Sequence, residues 1–309
     1  TFRTEYLMRL GVAATPEVAL PTLYWIKTSD HTLVRVISQP DKPSGRGQEM
    51  NSSPVSQWAK LNSIELVNPT TVGDINNALL DLDLLITIGY GRILPRATLS
   101  IPKFGCINLH FSLLPKYRGA APVQRAIQAG ETESGVTVFA LDPGMDTGPI
   151  YSSITVPIPP TMRSYELLQQ LSVVGIEAVK DALIAIESGV APVAQTGEAS
   201  MAAKITREEA KLDWNSTAHA LVNKIRAFYP QPQAWTIFRG QPLKISLAKI
   251  FESDLMLQPG ELRVVGNECC IGTNDAVLVL QRLTPAGKKE ISALDWSRGA
   301  RFESSERCG

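Results

Sequence analysis

The sequence predicts an α/β domain on a mostly parallel sheet, followed by a small β-barrel domain. Three observations predict it. Short apolar runs alternate with helical patterns over the first half of the chain, as in a parallel sheet with helical crossovers. One long amphipathic helix then ends that pattern, and a stretch without any period follows. The remainder is a series of short strands split by Gly, Pro and Asn turns. With 309 residues, 44% of them hydrophobic, the chain can fill two cores.

The elements follow in order. "LMRLGVAAT" reads as a strand and "PEVALPTLYWI" opens a helix. "LVRVIS" is the second strand, "QPDKPSGRGQEMNSSP" a loop, and "VSQWAKLN" a helix. The next element read is "DLLITIG", a strand with few polar residues, as one buried on both faces should be. "CINLHFS" is a strand, and a helix through "APVQRAIQAG" stops at Gly130. "GVTVFALD" is a further strand. The long helix, "SYELLQQLSVVGIEAVKDALIAIESG", takes Ser164 as cap and Gly189 as stop. Leu167, Leu171, Val174, Ala178, Ala182 and Ile186 form its apolar stripe. "VAPVAQTGEASMAAKITREEA" is small and polar without a period, and reads as a linker. "AHALVNKIRAF" is a short helix, and "AWTIF", "LKISLAKI", "ELRVV", "CCIGT" and "AVLVLQRL" are the strands of a small closed barrel. The domains are set at 1–189 and 208–309, with 190–207 between them.

Charge is balanced, 30 basic against 30 acidic residues, so any nucleic-acid contact must come from a local patch. No run of eighteen apolar residues occurs and the start lacks the plan of a secretory leader, so neither a membrane span nor export is expected. The four cysteines show no CxxC spacing. A disulfide framework or a metal site is therefore not expected, and a reducing cytoplasm fits.

In "CINLHFSLLPKYRGAAP", Ile107, Leu109 and Phe111 point to one side of a strand and Asn108, His110 and Ser112 to the other. Ligands of open α/β sheets bind outside the carboxyl ends of strands, where this polar set falls. Two readings stand side by side: a satisfied core histidine with a turn-forming Asn, or a site. "LDPGMDTGPI" has the same ambiguity. It is a turn by composition, or it sets Asp146 against His110, fixing the imidazole's tautomer and raising its pKa. No Ser sits in a GxSxG elbow and no Cys has an activating context, so direct attack of an amine on a carbonyl suits the set best. In that chemistry the Asn amide faces an oxyanion, His carries a proton, and Asp holds His.

Asn108-x-His110, then "SLLPKYRGAAP", then Asp146 in "GMDTG" resembles the folate-dependent formyltransferases. "TPEVALPTL", "QPDKPSGRG", "GYGRILP", "KITREEAKLDW", "IRAFYPQPQAW" and "PAGKKEISALDWSRG" resemble that family's branch acting on methionyl-tRNA, from about Met8 onward. The resemblance implies a Rossmann-like catalytic domain and an OB-like barrel that helps hold tRNA. It implies formyl transfer from 10-formyltetrahydrofolate to the α-amino group of methionine on initiator methionyl-tRNA. Asn108, His110 and Asp146 would be catalytic, Ser112, Leu113, Leu114 and Pro115 would bind folate, and Tyr90 would line the pteridine pocket. Lys42 and Arg46 would meet tRNA phosphates, and Lys288, Lys289, Arg298 and Arg301 are candidates for a further backbone-contacting face. A monomer is expected.

The sequence departs from the family's pattern at Gly11, Ala14, Gln48, Glu49, Tyr229, Gln231 and Gln233, the last standing where Gly is more usual. Other readings remain. One is a sugar-nucleotide or glycinamide ribonucleotide acceptor, which the barrel disfavours. Others are hydrolysis to formate and a non-enzymatic RNA-binding module. A dinucleotide oxidoreductase is opposed by "AATPEV", which has no GxGxxG.

Overall fold

The computed structural model describes residues 7–44, 49–303 and 306–309, with the backbone alone at 42–44 and 49. The chain divides into two compact units. The first comprises 1–122, 133–156 and 168–202, the second 123–132, 157–167 and 203–309.

In chain order the first elements are β1 (Arg9–Ala14), α1 (Leu20–Thr28) and β2 (Thr32–Ile37). A short hairpin of β3 (Lys42–Ser44) and β4 (Glu49–Asn51) precedes α2 (Pro54–Leu61). Then come β5 (Glu65–Val67), α3 (Val72–Leu79), β6 (Leu84–Ile88), α4 (Arg96–Leu99) and β7 (Cys106–His110). β8 (Arg118–Gly119), α5 (Pro122–Ala129), β9 (Glu133–Ala140), β10 (Ile150–Pro157), α6 (Ser164–Glu187) and β11 (Met201–Ala202) follow. The main sheet has the order β10-β9-β7-β6-β1-β2-β5. Its β5–β2, β2–β1, β1–β6 and β6–β7 pairs are parallel, and β9 runs antiparallel to β7. The sheet is Rossmann-like and mostly parallel.

β5 and α3 are absent from the sequence reading. β5 has three residues, too few to show a period. α3 opens with a capping box in which the Thr71 side chain takes the Asp74 N–H and the Asp74 carboxylate reaches back to the Thr71 N–H. The loop read across 39–54 contains the β3–β4 hairpin. The Ser164 hydroxyl, expected to cap α6, instead donates to the Tyr229 carbonyl at 2.7 Å within the second unit.

Register sets up the site. Ala14 pairs with Ile88, and Thr87 with Asn108, so the loops after β1, β6 and β7 leave the sheet at one end. There Gly89, at φ +56°, lies against Pro16, whose Cγ would be 2.8 Å from an added Cβ. β7 is buried on one face by Ile107 and Leu109. Leu109 packs on α6 at Gly175, where any Cβ would come within 2.7 Å of it. Trimming Leu109 to Ala would cost about 2–5 kcal/mol, which measures how firmly this face fixes the strand's rotation. With that rotation fixed, alternation sends Asn108 and His110 to the opposite face. Gly11 answers to the same packing, since Leu82 Cδ1 stands 2.3 Å from where its Cβ would be.

The stretch read as a linker is held in its first part. Val193 exchanges backbone hydrogen bonds with Ile150 at 2.7 and 2.8 Å, and β11 pairs in parallel with β8. It has no hydrophobic period because its backbone and a few polar side chains hold it, not an apolar face.

The second unit contains α7 (Ala218–Ala227), β12 (Trp235–Phe238), β13 (Gln241–Ile250), β14 (Leu262–Val265), β15 (Glu268–Gly272), β16 (Val277–Pro285), β17 (Ile291–Ser292) and α8 (Ala293–Ala300). The expected closed barrel is an antiparallel half-barrel of OB-like kind, in the order β12-β13-β16-β15-β14 with β17 on β16. Its core includes Trp214, Leu221, Ile225, Ile245, Leu280 and Trp296. Gln233 sits at φ +66°, which explains why glycine suits that position.

Candidate active site

Asn108 and His110 leave β7 on one face, two residues apart. The Asn108 amide donates from Nδ2 to Thr87 Oγ1 at 2.7 Å, across the parallel β6–β7 pair. The Thr87 hydroxyl gives its own proton to the Ile107 carbonyl at 3.2 Å, so toward Asn108 it can only accept. That fixes which end of the amide faces Thr87. Among the described residues it leaves one N–H and the Oδ1 of Asn108 without a partner, on a partly exposed side chain.

His110 is buried. Its Nε2 lies 3.0 Å from the Tyr117 carbonyl, which can only accept, so Nε2 carries the proton. Tyr117 presents that carbonyl from a left-handed backbone, φ +62°. In the neutral ring Nδ1 is therefore the bare nitrogen. Asp146 Oδ2 is 3.7 Å from it, beyond hydrogen-bonding distance, and is held instead by the Gly119 N–H at 2.7 Å. Tyr117 sets the tautomer, not Asp146 as expected from the sequence. Asp146 does push the pKa up, as expected, but it does not set the net direction. Burial pushes the His110 pKa below its ordinary value, outweighing the Asp146 charge and the Tyr117 hydrogen bond, which both raise it. The resting imidazole is neutral, and its bare nitrogen faces a carboxylate that will stabilise it once it takes a proton.

Asp146 does not arrive from a neighbouring carboxyl end. β9 is antiparallel, so its end at Ala140 lies opposite Ile107. The 141–149 loop folds back: Leu141 N–H bonds the Cys106 carbonyl at 2.8 Å, and Ala140 N–H the Pro149 carbonyl at 2.8 Å. Gly148 permits that return, because an added Cβ would meet the Ala140 carbonyl oxygen at 1.7 Å. Gly148→Ala therefore displaces the loop, and turnover falls while Tm drops. Steady-state rates and thermal unfolding of that variant check this.

The remaining sequence-predicted residues fall as follows. Ser112 is buried, and its hydroxyl is used by the Lys116 carbonyl at 2.7 Å. Thr137 knits the 112–115 turn, donating to the Ser112 carbonyl at 2.7 Å and accepting from Leu114 N–H at 3.2 Å. Leu113 is partly exposed, and Leu114 and Pro115 are buried. The Tyr90 ring is 4% exposed, among Ala13, Leu94 and Cys106. Its buried hydroxyl faces the Arg92 guanidinium, and burial pushes its pKa above the ordinary value. Arg46 lies outside the described residues, and so does the side chain of Lys42. Lys288, Lys289, Arg298 and Arg301 are exposed, with Arg298 paired to Asp295 at 3.3 Å. Burial pushes the Cys106 thiol up to about 12, so this strand offers no thiolate near neutrality.

Sequence reasoning missed Thr87, Tyr117, Arg118 and Gln195. Arg118 donates to Gln195 Oε1 from Nη2 at 2.6 Å and from Nε at 3.2 Å. Gln195 Nε2 donates to the Asp146 carbonyl at 2.9 Å and the Gly148 carbonyl at 2.8 Å.

Comparison with known proteins bears on this geometry. Residues 12–183 match the formyl transferase family and residues 204–301 the formyl transferase C-terminal domain. The methionyl-tRNA formyltransferase of Salinispora tropica is 39% identical over 97% of this chain and 99% of its own. That of Streptomyces coelicolor is 38% identical over 98% and 100%. The chain belongs to the formyl transferase family, among the methionyl-tRNA formyltransferases. Solved structures agree on the fold of this formyl transferase. HypX from Aquifex aeolicus, in complex with tetrahydrofolic acid, has a TM-score of 0.67 at 20% identity, covering 94% of this chain and 47% of its own. Methionyl-tRNA formyltransferase from Clostridium thermocellum has 0.57 at 15%, covering 80% and 96%.

Proposed function

We propose that the chain transfers the formyl group of 10-formyltetrahydrofolate to the α-amino group of methionine on initiator methionyl-tRNA. The observation that carries this reading is near-full-length identity of 38–39% to methionyl-tRNA formyltransferases in both domains. The Asn108, His110 and Asp146 cluster supplies the groups the chemistry needs.

The acceptor amine has an ordinary pKa near 8, lowered by the neighbouring ester, so a fraction is neutral at pH 7 without help. Its lone pair attacks the formyl carbon, giving an alkoxide and an ammonium. The free N–H of Asn108 stabilises the alkoxide without changing charge. Nδ1 of neutral His110 takes the ammonium proton, directly or through water, and the imidazolium is stabilised by Asp146. The same proton then passes to N10 of the departing tetrahydrofolate as the alkoxide collapses. His110 ends neutral, with Nε2–H still on Tyr117. Ser112, Leu113, Leu114, Pro115 and Tyr90 are the residues we assign to the folate, and Lys42 and Arg46 to tRNA phosphates. We also assign the domains to 1–189 and 208–309, and a monomer working in the cytoplasm, a place that suits four free cysteines. Among the described residues no helix is long and apolar enough to cross a membrane.

The test is mass detection of N-formylmethionine on initiator tRNA after incubation with 10-formyltetrahydrofolate, beside elongator tRNA, a sugar-nucleotide amine and no acceptor. Formylation of the initiator far above the others is expected. Formylation of the sugar amine alone, or formate release without acceptor, overturns the reading.

A further inference from the structure

We propose that Gln195, held by Arg118, is a positioning residue for formyl transfer: its carboxamide sets the loop that aims Asp146 at His110 Nδ1. The inference rests on the catalytic reading above and concerns how its third member is placed.

Asp146 stands at φ +54°, a left-handed conformation that L-residues rarely adopt. Such a residue keeps its place only when the surroundings over-determine it. Inside the loop, Asp142 ties itself to Gly144 N–H at 3.0 Å and to the Thr147 hydroxyl at 2.7 Å. Those bonds shape the turn but do not orient it toward β7. Leu141 and Pro149 fix the two ends of the loop by backbone bonds, and nearer its tip restraint comes from the Gly119 N–H on the carboxylate and from Gln195 Nε2 on the carbonyls of Asp146 and Gly148.

The carboxamide of Gln195 is fully used. Arg118 can only donate and the two carbonyls can only accept, so Oε1 faces the guanidinium and Nε2 the loop. Arg118 follows Tyr117, whose carbonyl fixes the His110 tautomer. Ser200 holds both residues, accepting Tyr117 N–H on its hydroxyl at 2.9 Å and Arg118 N–H on its carbonyl at 2.8 Å. One strip, 193–202, thus fixes the loop carrying Asp146 and the loop carrying Tyr117. Its own attachment does not need the Gln195 side chain, because the Ile150–Val193 pair, Ser200 and β11 already anchor it by backbone. The side chain's bonds serve the Asp146 loop.

The experiment uses the full chain with Gln195→Ala and Gln195→Glu, each alone and on an Asp146→Asn background. Gln195→Glu keeps size and the Arg118 partnership, so it folds even if the alanine variant does not. It also turns a carboxylate oxygen toward two carbonyls, which breaks the grip on the loop. Each single Gln195 variant is expected to lower kcat by about 100-fold, the loss typical of a misplaced catalytic group, with KM for both substrates little changed. On the Asp146→Asn background neither is expected to lower kcat further, because residues acting as a unit are not additive. Near-normal kcat in Gln195→Glu, a loss expressed in KM alone, or the same fold-loss on both backgrounds overturns the clamp. Near-normal turnover in Asp146→Asn itself overturns the catalytic reading, and the clamp with it.

Discussion

His110→Ala lowers kcat by about 100- to 10,000-fold, the range of a positioned proton carrier, and leaves a folded protein. The expectation comes from the ring's two nitrogens having separate tasks. Nε2–H is committed to the Tyr117 carbonyl, and only Nδ1 is available to chemistry. The groups facing the ring are the Asp146 carboxylate, the Tyr117 carbonyl and the edge-on Phe139 ring, with centroids 6.4 Å apart. Burial outweighs the first two and holds the ring's pKa below its ordinary 6.5. The chain has three histidines, so NMR titration can follow this one directly. Its midpoint should lie below the ordinary value, and lower still in Asp146→Asn, where a group that raises it is gone. A midpoint at or above the ordinary value would sink the assignment of a neutral resting base. The sign carries to stability. Below about pH 6.5 the unfolded chain binds a proton at this histidine that the native state refuses, so stability falls as pH falls toward the folded pKa. In His110→Gln that part of the acid sensitivity disappears, which denaturant titrations at pH 7.5 and near pH 5.5 would detect as about one fewer proton taken up at most.

What the sequence made legible was local. Alternation over Cys106–His110 put Asn108 and His110 on one face, and the strand is seated that way because Ile107 and Leu109 fill the other. The stripe on α6 was legible for the same reason, with Leu167, Leu171, Ala178, Ala182 and Ile186 buried and Val174 half-buried. Direction was not legible. Nothing in "GVTVFALD" says which way β9 runs beside β7, and the antiparallel answer forces the Asp146 loop to double back. Nor were partners distant along the chain. Gln195 reaches Asp146 across 49 positions and Arg118 across 77. A lone glutamine in a small, polar stretch carries no period and no motif chemistry to mark it. The tautomer was likewise written in a backbone carbonyl, which no side-chain pattern reports.

Asn108→Ala is expected to lower kcat by about 100- to 1000-fold, the usual cost of one oxyanion donor. The loss should fall on kcat, because the alkoxide exists only on the way across the barrier and ground-state binding does not use the bond. Thr87 makes the prediction sharper. Its hydroxyl orients the Asn108 amide by accepting one Nδ2–H and giving its own proton to the Ile107 carbonyl. Thr87→Val keeps the shape of a buried side chain that is 3% exposed but frees the amide to turn its oxygen outward. An amide oxygen aimed at a developing alkoxide repels it. Thr87→Val should therefore lose kcat on the Asn108 background of wild type, Thr87→Ser should restore it, and on an Asn108→Ala background neither should matter. Rates of single-turnover formylation across these six proteins, wild type included, decide it. If Thr87→Val slows the Asn108→Ala enzyme as much as it slows the wild type, Thr87 acts on the strand and not through the amide. Asn108 would then need some other reason to keep a polar face on β7.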